Sequence, residues 1–485
     1  MIKSTFLPLK LLATAGIAWQ CLIGPAFGQA AGGQANTVSL QDMSFFRDPG
    51  KTWQLAGEVA ADPAKDHAFK PEKGSGILVN LPTKKNKGAD LYSNLEHGDM
   101  DLELEYMMAK GSNSGIYLQG RYELQLHDSW GTPHATAGNN GGIYERWDES
   151  RPEGQKGYGG YAPRQNVSRA PGLWQQLKIS FQAPRYDASG KKVANARMLR
   201  VELNGVTIHE DVELLGPTRG AMASDEKATG PLRLQGDHGA VAFRNIKVTT
   251  YDNRPAAAAP ANNRNEADPI LIEAPVNTIL RSFMDVPGAA PVVHAVSVGS
   301  PAQVHYTYDM DKGTVVQVWR GGFLDATPMW NSRGNGRSRP QGMVQRFGKP
   351  EFTLAKLASP QAAWVADTAG SSYRPKGYVL DEQDRPTFRY QIYGTTVSDA
   401  LRVLDKGQGF RREISVQNPS GDLYARLAAG SKIEEGDNGL YLVDGKAYYL
   451  RLDETNGAKP LIREANGGQE LIVPVRGKLS YSVLF

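Results

Sequence analysis

Apolar and polar residues alternate with a period of two along several segments of the first half of the chain. In residues 100–105, Met and Leu occupy the even positions and Asp and Glu the odd ones, and residues 122–127 and 199–204 repeat the pattern. Period two places each set on one face of a strand. The dipeptide Asn204-Gly205 after the third segment is typical of a tight hairpin turn. No segment shows sustained helical periodicity with caps, so the pattern predicts an all-β sandwich.

The pattern resumes after a segment of different composition. Residues 252–265 are rich in Pro, Ala and Asn and lack apolar periodicity, which is typical of a linker. Three segments beyond it are strand-like: 314–319, 387–393 and 440–452. We therefore predict two β-rich domains, at 37–252 and 271–485, joined by a linker over 253–270; the second is expected to be another sandwich.

The first 30 residues have the composition of a signal peptide. Lys3 and Lys10 precede or flank an apolar run over 11–23, and small residues follow at Gly28 and Ala30. This arrangement predicts cleavage near Gly28 or Ala30 and export to the periplasm or the extracellular space. No other segment is a candidate membrane span, so we expect no transmembrane segment after cleavage.

Composition narrows the chemistry of the mature chain. The only cysteine, Cys21, lies in the predicted signal peptide, which leaves no disulfide, no thiolate nucleophile and no cysteine metal site. The formal net charge of +4 falls to +2 (4 − 2) without Lys3 and Lys10. Because no concentrated basic stripe is present, we expect no nucleic-acid partner. The sequence identifies no partner protein.

One predicted hairpin concentrates polar side chains. Gly120 can turn the chain, with Tyr117 on the first strand and Glu123, Gln125 and His127 on one face of the second. The intervening apolar residues should enter the core. Amides and carboxylates bind sugar hydroxyls and aromatic rings stack on sugar C–H faces, so the polar face is a candidate carbohydrate site. The alternative is that this face is only the solvated side of an amphipathic strand.

A series of motifs in the first half resembles, in the same order, the 3-keto-disaccharide hydrolase family. The motifs are LYS at 91–93, GDMDLELE at 98–105, NSGIY at 113–117, YELQLHD at 122–128, GGIY at 141–144, GLW at 172–174, LNG at 203–205, GPLRLQGDHG at 230–239 and VAFRNI at 241–246. The resemblance implies a concanavalin-like jelly roll. This sequence departs from the family at Gly142, where Ala is frequent, and in an insertion over 149–166.

The resemblance also implies an exported enzyme, a hydrolase or lyase that cleaves 3-keto-glycosides or 3-keto-disaccharides. A ketone at sugar C3 acidifies the C2 proton, so a base can form an enolate that expels the C1 substituent, and water can then add. Glu123 is the first candidate base and Glu105 the second. His127 or His238 is expected to protonate the leaving group or stabilise the enolate, and Arg244 to hold an oxyanion or a hydroxyl.

Several assignments remain open at this point. Further candidates for substrate binding are Gln125, Tyr117, Asn113, Tyr144, Trp130 and Trp147. A divalent metal is compatible with the reaction, with Asp128 as its candidate ligand or, alternatively, as a turn cap; no HExxH spacing occurs, and no cofactor is assigned. The same fold also hosts lectins, so a non-catalytic carbohydrate-binding protein is the alternative function, followed by a structural or adhesive surface protein.

Overall fold

The structure is a computed structural model, and it describes residues 32–252, 254, 268–331, 336–365, 367–436, 439–465 and 467–485. The predicted signal peptide and nearly all of the predicted linker lie outside these residues. Within the described parts, no helix is long and apolar enough to cross a membrane. The described chain is almost entirely β, with one short helix, α1 (Thr327–Asn331), and one 3-10 turn at Asp405–Gly407.

Residues 34–251, the N-terminal block, form antiparallel sheets. Its strands are β1 (Gln34–Thr37), β2 (Phe46–Arg47), β3 (Trp53–Ala61), β4 (Phe69–Asn80), β5 (Leu91–His97), β6 (Asp99–Met108), β7 (Asn113–Leu118), β8 (Tyr122–His127), β9 (Arg146–Trp147), β10 (Gly157–Tyr158), β11 (Gln175–Gln182), β12 (Arg185–Tyr186), β13 (Lys192–Ala194), β14 (Ala196–Leu203), β15 (Val206–Leu214), β16 (Gly230–Leu234) and β17 (Val241–Tyr251).

Two of these sheets pack face to face. The large sheet has eight strands in the order β15-β14-β11-β6-β17-β4-β3, with β1 beside β17, and the small sheet has the order β2-β5-β16-β7-β8. Leu102 and Leu104 of the large sheet and Leu124 and Leu126 of the small sheet are buried in one core. The alternating apolar residues of both sheets therefore meet, which confirms the predicted all-β sandwich.

The predicted hairpins form where the sequence supplies turn residues. Between β7 and β8, Gln119 and Gly120 have φ of 54° and 65°, and between β14 and β15, Asn204 and Gly205 have φ of 52° and 80°. Glycine adopts this left-handed region without steric cost, and asparagine tolerates it. The turn at Gly120 fixes the pairing of β7 with β8, which carries the polar face.

Residues 271–484, the C-terminal block, continue in the same style. Its strands are β18 (Leu271–Ile272), β19 (Thr278–Met284), β20 (Val292–Gly299), β21 (Val304–Asp309), β22 (Thr314–Arg320), β23 (Leu324–Asp325), β24 (Arg337–Pro340), β25 (Met343–Arg346), β26 (Leu354–Lys356), β27 (Arg374–Leu380), β28 (Pro386–Ile392), β29 (Thr395–Val403), β30 (Gly409–Val416), β31 (Leu423–Gly430), β32 (Ile433–Glu435), β33 (Leu440–Val443), β34 (Tyr448–Glu454), β35 (Leu461–Ala465), β36 (Gly468–Pro474) and β37 (Lys478–Leu484).

These strands form three sheets. Their orders are β18-β23-β24-β19-β20-β21-β22-β25, β26-β31-β36-β35 and β27-β28-β29-β30-β37-β34-β33-β32. Among the described residues, no strand pairs across the two blocks. The blocks nevertheless touch: the Trp130 indole N–H donates to the Phe485 carbonyl at 3.0 Å, and the Tyr449 hydroxyl to the Pro171 carbonyl at 3.0 Å. The domain boundaries drawn from the sequence stay a prediction.

Truncation of the shared core should destabilise the protein. Leu124 is fully buried, so we expect Leu124→Ala to lower the free energy of unfolding by about 2–5 kcal/mol. Chemical denaturation followed by tryptophan fluorescence measures the change. The matched control is Leu215→Ala, because Leu215 is 55% exposed and its loss should cost less than about 0.5 kcal/mol. Equal losses in both variants would contradict the assignment of Leu124 to the core.

Candidate active site

Four side chains stand side by side across the small sheet. Strand β16 lies between β5 and β7, and the register places Arg233 beside Tyr92 on one side and beside Tyr117 on the other. Tyr117 in turn pairs with Glu123 of β8. Laterally paired residues lie on the same face of a sheet. Tyr92, Arg233, Tyr117 and Glu123, here called the polar row, therefore share the face that points away from the core.

Three members of the polar row, Tyr117, Glu123 and Arg233, are buried although they face away from the core, and Tyr92 is partly buried. Glu123 is 1% exposed and Gln125, on the same face, is 5% exposed. Backbone segments flank the row: Tyr144 N donates to the Glu123 carbonyl at 3.0 Å, and Glu123 N donates to Thr218 Oγ1 at 3.1 Å. The polar face is thus not the solvated side of an amphipathic strand, and the alternative interpretation of its pattern is wrong.

Arg233 is held from two directions. One terminal nitrogen, Nη2, pairs with Asp90 Oδ2 at 2.5 Å, and the other, Nη1, donates to the Gly220 carbonyl at 2.6 Å. The guanidinium carbon lies 4.1 Å from the centre of the Tyr117 ring, a cation–π contact. These contacts fix a positive charge in the middle of the polar row.

The carboxyl group of Glu123 has an unusual acidity. Burial raises its pKa from 4.5 to about 8, against the opposing effects of the Tyr117 hydroxyl and the Arg233 charge. The nearby carboxylates of Asp90 and Asp237 raise the pKa further. A carboxyl group with this pKa carries a proton for much of the time at neutral pH and is a strong base when it loses that proton.

A missing side chain gives the carboxyl group its place. Gly115 of β7 lies beside the carboxyl group of Glu123, which belongs to β8. A Cβ at position 115 would fall well inside van der Waals contact with Glu123 Oε1. Glycine therefore lets the carboxyl group lie over β7. Gly142, where the sequence departs from the family, has a similar reason: a Cβ there would collide with the Ala137 carbonyl.

Several polar atoms of this face are buried without a hydrogen-bond partner among the described residues. They are Asn113 Oδ1, Glu123 Oε2, Gln125 Oε1, Gln235 Oε1 and Arg233 Nε. The residues are neighbours, since Gln235 N donates to the Gly115 carbonyl and Gly115 pairs with Gln125. Buried polar atoms without partners are uncommon in proteins. Four acceptors and one donor on one face suit a ligand with several hydroxyl groups.

The two candidate histidines lie towards the rim. His127 faces Asn113 across the β7–β8 pair and contacts Ser129 Oγ at 3.2 Å; burial lowers its pKa. His238 is more open, with 54% of its side chain exposed, and its Nδ1 lies 2.5 Å from Asp237 Oδ1. Its Nδ1 also lies 3.4 Å from Gln235 Nε2, which places the imidazole beside the buried acceptors.

Two candidate aromatic residues, Tyr144 and Trp147, follow the segment that pairs with β8. Both are partly buried. The Arg219 guanidinium carbon lies 3.7 Å from the centre of the Trp147 ring. The Arg219 carbonyl also accepts a hydrogen bond from the Tyr117 hydroxyl at 3.4 Å. Arg219 therefore contacts both Trp147 and Tyr117, and the assignment of Tyr144 and Trp147 to substrate binding stays a prediction.

The expected convergence of Glu105 and Arg244 with Glu123 is wrong. Glu105 Oε2 pairs with Arg244 Nε at 2.6 Å, and the Arg244 guanidinium lies 4.1 Å from the centre of the Trp174 ring. This pair sits on the outer face of the large sheet, on the far side of the core from the polar row, because the neighbours Leu104 and Phe243 fill that core. The alternation of polar and apolar residues predicted correctly which side chains point away from the core. It did not show that these two strands belong to the large sheet.

Two further candidates also lie elsewhere. The Trp130 indole packs between the two blocks and is not part of the polar row. Asp128 accepts hydrogen bonds from Gly111 N at 2.8 Å and from Trp130 N at 3.4 Å, so it caps a turn. In the part of the chain that the structure describes, no group of three or more His, Cys, Asp or Glu side chains is arranged to hold a metal ion.

Sequence reasoning missed half of the polar row. Arg233, Tyr92, Asp90 and Gln235 were not among its candidates, although motifs containing Arg233, Tyr92 and Gln235 carried the family resemblance. A signal was present: Arg233 in β16 and Gln235 directly after it alternate with buried leucines at 232 and 234. That pattern matches the alternation of β8.

Residues 48–249 match the family model described as 3-keto-alpha-glucoside-1,2-lyase-like domain. The matched region lies within the N-terminal block and covers less than half of the chain. The resemblance drawn from the motifs is therefore confirmed for these residues. The match supports a glycoside-active function for the lyase-like domain in general terms. None of the curated proteins compared with the chain matches it.

Solved structures resemble the chain more weakly. A Parabacteroides distasonis protein with the provisional name glycosyl hydrolase shares 25% identity at a TM-score of 0.31, over 44% of this chain and 84% of that one. A second such protein from the same organism shares 19% identity at a TM-score of 0.25, and the match covers 41% of this chain and 100% of that one. The binding domain of botulinum neurotoxin serotype D shares 7% identity at a TM-score of 0.23, and the match covers 89% of this chain and 91% of that one. These scores are low, and the fold is established by the strands themselves.

Removal of the Glu123 carboxyl group should make stability less sensitive to pH. Its pKa is about 8 in the folded chain against an ordinary 4.5, so the wild-type protein loses stability as pH rises through this interval. We expect the free energy of unfolding of Glu123→Gln, relative to that of the wild type, to rise by at most about 4 kcal/mol between pH 5 and pH 9. Denaturant titrations across this range measure the difference.

The control is Glu149→Gln. Hydrogen bonds from Trp147 and Lys156 lower the pKa of the exposed Glu149, so its carboxylate stays charged throughout the same range. The stability difference between this variant and the wild type should therefore stay constant. A constant difference for Glu123→Gln as well would show that Glu123 has an ordinary pKa.

Proposed function

We propose that the lyase-like domain cleaves glycosides that carry a ketone at C3, with Glu123 as the base that removes the C2 proton. The supporting observation is a buried carboxyl group of raised pKa, whose Oε2 has no partner among the described residues, in one row with a fixed guanidinium. A C–H bond beside a ketone is a weak acid, and a desolvated carboxylate is a better base for it than an exposed one.

The first step transfers the C2 proton to Glu123. The electrons of the C2–H bond form the C2=C3 double bond, and negative charge develops on the C3 oxygen. Arg233 is the group that we assign to this oxygen, because its Nε–H is buried and has no acceptor among the described residues. A fixed donor aimed at developing charge stabilises a transition state more than it stabilises the ground state.

The second step expels the substituent at C1. The enolate re-forms the C3 carbonyl, a C1=C2 double bond forms, and the bond from C1 to the leaving oxygen breaks. We assign the proton that the leaving oxygen takes to His238, which lies at the rim beside Gln235. Addition of water across C1=C2 then gives the products of hydrolysis. Elimination without this addition would give a lyase product.

Sugar recognition is assigned to the remaining polar atoms. Gln125, Gln235 and Asn113 offer buried acceptors for hydroxyl groups, and we assign stacking on the sugar to the partly buried rings of Trp147 and Tyr144. A lectin needs such acceptors but has no use for a buried carboxyl group of pKa about 8. This favours an enzyme over the carbohydrate-binding alternative. With the predicted signal peptide, we propose that the enzyme works outside the cytoplasm.

Turnover of a 3-keto-glucoside tests the base. We expect Glu123→Gln to lower kcat/KM by about 10²–10⁴-fold, while sugar binding persists. The matched control is Glu105→Gln, on the outer face of the large sheet, which should keep kcat/KM within about twofold. In the wild type, kcat/KM should rise with pH up to about 8, as Glu123 loses its proton. Equal effects of the two substitutions would remove Glu123 from this role, and wild-type binding without turnover would favour the lectin.

A second pair of variants tests the oxyanion donor. Arg233→Lys keeps the positive charge but loses Nε–H and the planar fork, so we expect kcat to fall by about 10²–10³-fold. Arg244→Lys makes the same change at the outer face of the large sheet and should leave kcat unchanged. Initial rates at saturating substrate measure both. A fall confined to KM for Arg233→Lys would assign Arg233 to ground-state binding instead.

A further inference from the structure

A cavity lies at the junction of the two blocks. Its volume is about 1010 Å³, and residues from both blocks line it. The N-terminal block contributes the end of β3, the loop after it and Trp130, and the C-terminal block contributes parts of β33, β34 and β37 and the turn after β29. A cavity of this size accommodates a small-molecule ligand, and such sites occur preferentially at domain interfaces.

The cavity has an apolar floor because the strand that forms it is apolar on both faces. In β33, Tyr441 and Val443 are buried in their own block, whereas Leu440 and Leu442 are only partly buried and line the cavity. Leu484 of β37 and Leu404 extend this floor. An outward face of a strand ordinarily carries polar residues. The leucines therefore form a surface suited to an apolar group.

Small residues and one indole also line the cavity. Ala60, Ala61 and Ala64 line it, and their short side chains leave the volume unfilled. Trp130 also lines it, and its N–H is already used by the Phe485 carbonyl. Only the ring of Trp130 remains for a ligand, and aromatic rings stack favourably on one another.

The described residues at the rim include charged side chains of both signs. Lys65, Lys70 and Arg451 lie there with Asp62 and Asp405, a formal net charge of +1 (3 − 2) for these five residues. Lys65 pairs with Asp62 at 2.8 Å. In the ranges that the structure describes, Lys70 is in no ion pair.

The ion pair of Arg451 lies just outside the lining. Arg451 Nε pairs with Asp453 Oδ1 at 3.0 Å, and Arg411 shares that carboxylate at 3.3 Å. Asp453 is thus shared between two guanidinium groups, of which only Arg451 lines the cavity. A ligand with one negative charge complements this rim.

From these observations we infer that the junction cavity, defined by Trp130, Leu404, Leu440, Leu442 and Leu484, binds an aryl compound that carries one negative charge. The aryl group would lie against the indole and the leucines, and its anionic substituent would face Lys70. None of these residues belongs to the polar row, so the site is separate from the proposed reaction and its existence does not depend on that reaction.

Titration of the full chain with 1-anilinonaphthalene-8-sulfonate tests the site. This probe is an aryl anion whose fluorescence rises in apolar surroundings, and we expect saturable binding with one probe per chain. Lys70→Glu reverses the charge at an exposed position and should weaken binding by at least about fivefold. Lys84→Glu makes the same change in an exposed loop away from the cavity and should leave binding unchanged.

Two further comparisons separate shape from charge. Ala64→Trp fills the cavity from an exposed position and should abolish binding of both this probe and neutral N-phenyl-1-naphthylamine, whereas Lys70→Glu should weaken only the anionic probe. Glu123→Gln should bind both probes as the wild type does, even if the proposed reaction is wrong. Unsaturable fluorescence, or an affinity that neither Lys70→Glu nor Ala64→Trp changes, would overturn the inference.

Discussion

The pairing register of β7, β8 and β16 is the constraint on which the candidate site depends. Residues in a strand alternate between faces, so a slip of one residue would send Glu123 into the apolar core and a leucine into the site. The turn at Gly120 and the leucines of the inner face oppose such a slip, because each is correct in only one register. The forces that pack the core thus also position the carboxyl group of Glu123 beside Tyr117 and Arg233.

Burial gives this arrangement its chemical character. In water, a carboxyl group beside a guanidinium would be an ordinary weak base. Here desolvation outweighs the attraction of Arg233, because Asp90 already neutralises that guanidinium at 2.5 Å. The site therefore combines a carboxyl group that readily keeps a proton with a fixed donor. That combination is the one required to create and hold an enolate.

Local pattern predicted the local half of the site. Period two and a turn residue sufficed for the β7–β8 hairpin, and hence for the shared face of Tyr117, Glu123, Gln125 and His127. Arg233 was not predicted as a site residue because β16 is more than a hundred residues from β8 in sequence and enters the sheet between β5 and β7. Alternation does not reveal which strands become neighbours. Glu105 and Arg244 were misplaced for the same reason, since their strands belong to the other sheet.

The interleaving of β16 between β5 and β7 also bears on biosynthesis. A ribosome releases β5, β7 and β8 long before β16, so the emerging chain holds Glu123 without the arginine that accompanies it in the finished fold. Pairings between residues so distant in sequence form late and slowly. A nascent chain that stops short of residue 230 would lack β16 and β17, which are interior strands of the two sheets, and would hold only part of the polar row.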